Sequence, residues 1–261
     1  MRKKLLFTAA IGLALLPSQG LGASSKTFSG EYTITYLGLP VAESNVSTTF
    51  TGDNFKIKGS LSSAGIGQFF DSTRANMTVR GKFSGDATRP ASYVVSYTSG
   101  KKSKRTSLRF RDGNVTRTEN VPPLRNKGRD WVRLSEADLR AVADPLSWTL
   151  VRADKSADVC RRRIKVFDGE MRADLKLTPA GSEAVSFPGF EGEAVTCNAR
   201  FVPVAGYRKG KEAIEFLARE SRITIAFAEL GKTGVFAPVR ATVGTQIGPI
   251  TIRARRLETS N

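Results

Sequence analysis

The chain is 261 residues long, with 41 Lys and Arg against 24 Asp and Glu, a formal net charge of +17, two cysteines and no histidine. Without an imidazole, Ser-His-Asp and Cys-His catalysis are excluded, as are the usual zinc and copper ligand sets. Two cysteines are too few for a metal site built from thiolates alone, so neither metal nor cofactor is expected.

Arg2, Lys3 and Lys4 open the chain, an apolar run follows from Leu5 to Leu16, and Pro17, Gly20, Gly22 and Ala23 close the segment. A charged start, a short apolar middle and small residues at the end describe a secretory signal peptide, too short for a stable membrane span. Residues 1–22 are therefore expected to be removed near Gly22 or Ala23, leaving residues 23–261 as one periplasmic domain of formal charge +14. No cysteine follows the apolar run to accept a lipid, and no later run is long enough to cross a bilayer, so the mature chain is expected to be soluble after export. Its basic balance suits an anionic surface such as lipid headgroups. Nucleic acid is not an expected partner for an exported chain without a recognition motif, and the residues assign no oligomeric state.

From Phe28, the residues Phe28, Tyr32, Ile34 and Tyr36 share one parity while Ser29, Glu31, Thr33 and Thr35 hold the other. That period of two predicts a strand with one buried face. Gly38-Leu39-Pro40 turns the chain into a return strand over Ala42, Ser44, Val46, Thr48 and Phe50. A turn at Gly52-Asp53 leads to a third strand through Phe55, Ile57, Gly59 and Leu61. The glycines and the Phe69-Phe70 pair in 64–70 predict a short helical turn or a loop. Strands resume at 73–83 and 92–97, where Tyr93, Val95 and Tyr97 share a face, and continue at 107–111 and 115–121 around Asp112-Gly113-Asn114. Pro122-Pro123 ends this run, and a basic loop occupies 124–130. Two short helices are then predicted, one capped by Ser135 with Asp138 three residues on, the other capped by Asp144 with Pro145 following and Leu146, Trp148 and Leu150 as docking residues.

Cys160 and Cys197 bracket 164–167, a turn at Asp168-Gly169, a return strand over 171–177, a loop at Phe187-Pro188-Gly189-Phe190 and a strand over 193–202. Asp-Gly between alternating runs is a strong hairpin signal. In an oxidising compartment the two thiols are expected to form one disulfide. The remaining segments, 212–218, 222–228, 238–243 and 250–257, all predict strands. The fold class expected is all-β: a single antiparallel β-barrel or spiral barrel of roughly thirteen strands with two short helices in a mid-chain insertion. A barrel removes the free edges that so many strands would expose.

Pro145-Leu146-Ser147, Val166-Phe167-Asp168-Gly169, and Cys197 followed by Pro203-Val204-Ala205-Gly206-Tyr207 resemble an uncharacterised family of exported proteobacterial proteins, the domain-of-unknown-function family numbered 3108. The opening Tyr32-x-Ile34-x-Tyr36-x-Gly38-Leu39-Pro40-Val41-Ala42 and the late Pro238-Val239 and Gly248-Pro249-Ile250 are similar to its start and end. The resemblance implies a periplasmic β-barrel or spiral with an open, lipid-sized interior, akin to lipoprotein carriers and envelope-integrity factors. It brings no catalytic residues, and it carries over the pair Cys160 and Cys197.

Ser99-Gly100-Lys101-Lys102 has the Ser-x-x-Lys spacing of penicillin-recognising enzymes, but those need it on a helix and here it falls in a hairpin turn. Asp168 with Glu170 or Asp174 would suit acid-base work on a glycan, yet Asp168 reads as a turn former and the others as outward strand residues. Basic clusters occur at Lys101, Lys102, Lys104 and Arg105, at Arg161 to Arg163, and at Arg253, Arg255 and Arg256. They read as solvated faces first and as a surface for anionic lipid second. The face carrying Tyr32, Ile34, Tyr36, Tyr93, Val95 and Tyr97 is the expected lining of a cavity for a lipid-like ligand, against a packed core. The expectation is a non-enzymatic protein that binds such a ligand and supports envelope integrity. The alternative is a scaffold that binds envelope proteins or peptidoglycan.

Overall fold

A computed structural model describes residues 24–260 apart from 71 and 125–127. The expected export segment 1–22 and part of the basic loop thus lie outside the described residues. Period-two alternation dominates the sequence, and the chain is all-β. Seven strands follow one another as hairpins: β1 Ser25–Tyr36, β2 Leu39–Thr51, β3 Asn54–Ser63, then the four-residue helix α1 Gly67–Phe70, β4 Thr73–Ser84, β5 Ala87–Ser99, β6 Lys102–Arg111 and β7 Asn114–Val121. Each hairpin turns at the expected Gly or Asp-Gly. At Asp112-Gly113 both residues have positive φ, 52° and 78°, the two-residue turn whose twist matches the flanking strands.

Next come the two-residue strands β8 Trp131–Val132 and β9 Val151–Arg152, the hairpin β10 Arg163–Phe167 and β11 Arg172–Phe187, then β12 Phe190–Ala205 and β13 Tyr207–Arg208. The helix α2 Glu212–Arg219 precedes β14 Ile223–Glu229, β15 Val235–Thr245 and β16 Gly248–Ser260. Fourteen strands form one antiparallel sheet in the order β10-β11-β12-β14-β15-β16-β1-β2-β3-β4-β5-β6-β7, with β9 paired to β15, and β8 with β13 forms a separate pair. The described residues thus hold sixteen strands, where the alternation predicted roughly thirteen. The additions are the two-residue strands, too short to show any period.

Helical content differs from expectation in three places. The two mid-chain helices are single 3-10 turns, Glu136–Leu139 and Ser147–Thr149, and a third lies at Ser156–Asp158. Ser135 and Asp138 form the expected reciprocal capping box, whereas the second turn starts two residues later than expected, with Leu146 at its N-cap; Asp144 still ties it down, its Oδ1 accepting from the backbone N–H groups of Leu146 and Ser147 at 2.9 Å. The segment 212–218, expected as a strand, is the helix α2. Ile214, Phe216 and Ala218 satisfy a period of two, but Ile214, Leu217 and Ala218 satisfy the helical i, i+3, i+4 spacing equally well, and all are half-buried. Tertiary docking of that stripe decided the outcome.

The sheet curls without its two end strands pairing. The mid-chain segment fills the gap: Val142 N–H donates to Gly113 O in the β6-β7 turn at 2.9 Å, while Ala143 bridges in parallel to Val166 of β10, giving Ala143 N–H to Lys165 O at 2.8 Å and Phe167 N–H to Ala143 O at 2.9 Å. Asn120 of β7 donates to Gly169 O of the β10-β11 turn at 3.0 Å. Residues 141–143 therefore stand between the two ends of the sheet like a short extra strand.

Two cores result. One collects Phe28, Phe50, Phe55, Phe83, Tyr93 and Leu108 from the inner face of β1 to β6, with Leu150 and Phe167 from the mid-chain side. The other surrounds the disulfide, where Cys160 and Cys197 are fully buried among Val159, Leu177, Ile225 and Phe227. The sulfurs are 2.02 Å apart and the Cα atoms 5.2 Å, so the expected bridge is present. A smaller cluster at Ala226, Ala228 and Ala254 receives Phe187 and Phe190 from the tip of the β11-β12 hairpin. That tip is fixed by Gly189 at φ 82°, where any β-carbon would lie 1.7 Å from Leu257 O, and by Leu257 N–H donating to Pro188 O at 2.9 Å.

Candidate functional site

Between the two cores the curled sheet leaves a cavity of about 430 Å³. One wall is the inner face of β1 and β2, with Tyr32, Ile34 and Val46. Another is β14 to β16, with Ile225, Val243 and Ile252. The 3-10 turn at Ser147–Thr149 closes a further side through Leu146, Trp148 and Leu150. Sequence periodicity gives the first two walls directly, since residues spaced by two on β1 all point one way. The third depends on the cap at Asp144, which is fully buried and holds Ser147 both by its backbone N–H and by its hydroxyl at 2.6 Å.

Of the six expected lining residues, Tyr32 and Ile34 line the cavity. Tyr93 does not: it is buried in the packed core beside Leu108, and Val95 packs against the same core. Tyr36 lies at the exposed end of β1, where its hydroxyl donates to Ile247 O, and Tyr97 is paired across the sheet with Lys104 and Ala75, away from the cavity. Residues on one parity of neighbouring strands share a face, but the curl carries β5 round to the packed side while β1 faces the void. The residues that were missed, Ile225, Val243 and Ile252, come from late strands whose alternation is plain but whose neighbours across the void cannot be read from spacing. Leu146, Trp148 and Leu150, expected only to dock, are cavity residues as well.

Polar atoms along the wall are few and paired. The Tyr32 hydroxyl donates to Pro238 O at 3.2 Å, Ser44 Oγ to Ser60 O at 2.8 Å, and Arg240 is ion-paired with Glu183. Burial of the Tyr32 hydroxyl pushes its pKa up to about 12, so it stays a neutral donor. Nothing on the wall is an activated nucleophile. The arrangement can desolvate an apolar chain, and its size falls within the range of about 300 to 1,000 Å³ typical of small-molecule sites.

The acidic and basic groups singled out in the sequence are placed as follows. Asp168 forms its turn, accepting from the N–H groups of Glu170 and Met171 at 2.8 and 2.7 Å. Asp174 is not an outward residue: it is buried with Arg172, whose Nη2 donates to it at 2.6 Å, while Arg163 Nε reaches its other oxygen at 2.7 Å. Burial pushes the Asp174 carboxyl up, but the hydrogen bonds from Arg172 and Arg163 outweigh it and hold the carboxyl below its ordinary range. Burial likewise raises Asp144, and there the hydrogen bonds from Ser147 and Leu146 do not offset it. Ser99 and Lys102 face each other across the β5-β6 hairpin, so the Ser-x-x-Lys spacing has no helix under it.

Most members of the second and third basic clusters are engaged. Arg162 is paired with Asp86, Arg163 with Asp174, Arg255 with Glu31 and Glu43, and Arg256 with Glu258. Lys101, Lys102, Lys104 and Arg105 are exposed. Among the described residues no group of three or more His, Cys, Asp and Glu could hold a metal ion, and no helix is long and apolar enough to cross a membrane.

No curated protein matches the chain. Among solved structures it is similar to a β-barrel-like protein of the domain of unknown function DUF1849 from Brucella abortus, with a TM-score of 0.50 over 91% of this chain and 98% of that one. At 9% identity the likeness is one of fold alone. The model of the family described as "Protein of unknown function (DUF3108)" matches residues 31–255, a span holding both cysteines and most of the cavity wall, and the chain belongs to that family.

Proposed function

We propose that the protein is an exported, non-enzymatic periplasmic binder of a lipid-like ligand from the cell envelope, and that it supports envelope integrity by holding that ligand away from water. In this reading the sheet with its 141–143 insert acts as a closed barrel, and residues 1–22 are the export signal. One observation carries the proposal: a cavity of about 430 Å³ walled almost entirely by apolar side chains, in a chain otherwise packed well enough to bury Phe167, Phe227 and Leu108 completely. An unfilled apolar void is destabilising, by roughly 24 cal/mol for each Å³ left empty in a core. A resident apolar ligand removes that cost.

Titration with cis-parinaric acid, a fluorescent fatty acid, tests the reading directly. Wild type is expected to bind it at micromolar concentration or tighter. Val46→Trp, which fills the cavity from β2, is expected to weaken binding at least tenfold with little change in melting temperature. Native mass spectrometry of protein purified from the periplasm is expected to show a co-purifying lipid. Protein crosslinked in intact cells to envelope partners, with an empty cavity and no uptake of the probe, would replace this reading with the scaffold.

A further inference from the structure

Antiparallel hairpins sort their turns between two ends of the sheet, and the two ends differ in chemistry. One end carries the β2-β3, β4-β5 and β6-β7 turns, with Asp53, Asp86 and Asp112. The other carries the β1-β2, β5-β6, β10-β11 and β15-β16 turns and the end of β7, with Asp168 and Glu170 in the β10-β11 turn. The six large apolar side chains exposed among the described residues all lie toward this second end: Leu37 and Leu39 after β1, Val121 and Leu124 after β7, Ile247 between β15 and β16, and Ile252 four residues into β16. Ile247 is 71% exposed and Leu37 58%.

Leu37 and Ile247 belong to one knuckle. Leu37 N–H donates to Pro249 O at 3.2 Å, and the Tyr36 hydroxyl is bonded to Ile247 O. The same end presents Lys101 and Lys102 at the β5-β6 turn, with Lys104 and Arg105 just beyond, all exposed and none of them ion-paired among the described residues. Ile252 joins this rim to the interior, because it is 39% exposed and also lines the cavity.

Monomeric proteins rarely gather their exposed apolar side chains at one pole without a use for them. Apolar tips and an aromatic ring at the same end of the sheet as four exposed cations fit the edge of an anionic bilayer: acyl chains for Leu37 and Ile247, headgroup depth for Tyr36, phosphates for Lys101 and Lys102.

We infer that this end of the sheet docks on anionic phospholipid membrane, inserting Leu37, Leu39 and Ile247, and that the cavity exchanges its ligand through the mouth at Ile252. The exchange route rests on the proposed lipid-binding role; the docking does not. Cosedimentation with phosphatidylcholine vesicles, and with vesicles holding three parts in ten of phosphatidylglycerol, tests it. Wild type is expected to bind the anionic vesicles at least tenfold more tightly.

Leu37→Asn with Leu39→Ser and Ile247→Ser is expected to lose vesicle binding at least tenfold at an unchanged melting temperature. Lys101→Gln with Lys102→Gln is expected to lose about twenty-fivefold, at about fivefold for each cation at a lipid surface. Ile247→Trp is expected to shift its emission to the blue on anionic vesicles only. Wild-type binding by the triple-apolar variant, equal binding to both vesicle types, or release by millimolar inorganic phosphate would each overturn the inference, the last in favour of a soluble phosphate ligand. Parinaric acid titrations of the same variants read the cavity separately. Retained probe uptake with lost vesicle binding is the expected pair, whereas vesicle binding without probe uptake leaves the docking end standing and removes the exchange route.

Discussion

Replacing both Cys160 and Cys197 with Ala removes a cross-link between positions 37 residues apart. On the loop-closure model a tie of this length lowers denatured-state entropy by the equivalent of about 4 kcal/mol. For a domain of this size, each kcal/mol at the midpoint moves the melting temperature by about 2 to 4 °C, so a fall of about 8 to 16 °C is expected. The bridge also sits in a packed cluster with Val159, Leu177 and Phe227, and trimming two sulfurs there adds a packing loss. The two effects separate when the double variant is compared with wild type unfolded in urea with dithiothreitol, which keeps the sulfurs but breaks the tie. If cross-linking dominates, the two lose similar stability. Coincident unfolding curves for oxidised wild type and the double variant would refute the staple. Cys197 pairs across the sheet with Ile225, which packs with it and also lines the cavity, but neither cysteine is itself on the cavity wall, so the order of affinities among fatty-acid probes of different length is expected to be unchanged.

Asp144→Ala strips the cap from the 3-10 turn and leaves the buried Ser147 hydroxyl without its acceptor, at a cost of about 1 to 3 kcal/mol, while Asp144→Asn keeps the backbone acceptor and should cost less. Because burial raises the folded-state pKa of Asp144, its favourable contribution is full below the unfolded value and is lost as pH rises, so the Asn variant should gain on wild type in thermal melts as pH rises above the ordinary carboxylate range. Asp174 has the opposite sign. Its lowered pKa stabilises the fold above the ordinary carboxylate range and that contribution is lost in acid, so Asp174→Asn should be less stable at pH 7 and should flatten acid unfolding followed by circular dichroism below pH 4. Arg172→Ala leaves that carboxylate buried with only Arg163 and should cost about 3 to 5 kcal/mol in urea unfolding. Gly189→Ala cannot keep both the turn and the contact with Leu257 O. A loss of about 1 to 3 kcal/mol is expected, with faster amide exchange confined to the β11-β12 tip.

Strand order along the meander was legible because each turn is written in Gly or Asp-Gly and each strand in a period of two. What was not legible is where the sheet's two ends meet. Ala141, Val142 and Ala143 have no periodic pattern, yet they contact the β6-β7 turn on one side and β10 on the other. Their role follows from backbone donors and acceptors that every residue possesses, and side-chain spacing carries no record of it. Three of the short motifs that carry the family resemblance gather at this joint. Val166 to Gly169 supplies the bridge and the turn. Pro145 to Ser147 hangs from the Asp144 cap, and Gly206, at φ 78°, allows Glu170 O to pass where a β-carbon would be 1.8 Å away. Motifs that looked like punctuation between strands are the fastening of the wrap.

The site was half legible for a related reason. Alternation tells which residues of a strand share a face, and on β1 that suffices for Tyr32 and Ile34. It does not tell how far across the interior the opposite wall stands. Tyr93 and Val95 have the same pattern and are packed, because Leu108 and Phe110 from β6, and Phe167 with Leu150 from the mid-chain side, fill the space before them. Across from Tyr32 the late strands present Ala237, Ala241 and Val243, side chains too short to reach over, and the void persists. Cavity width is thus set by side-chain volumes contributed some two hundred positions away in sequence, a quantity that no local period encodes.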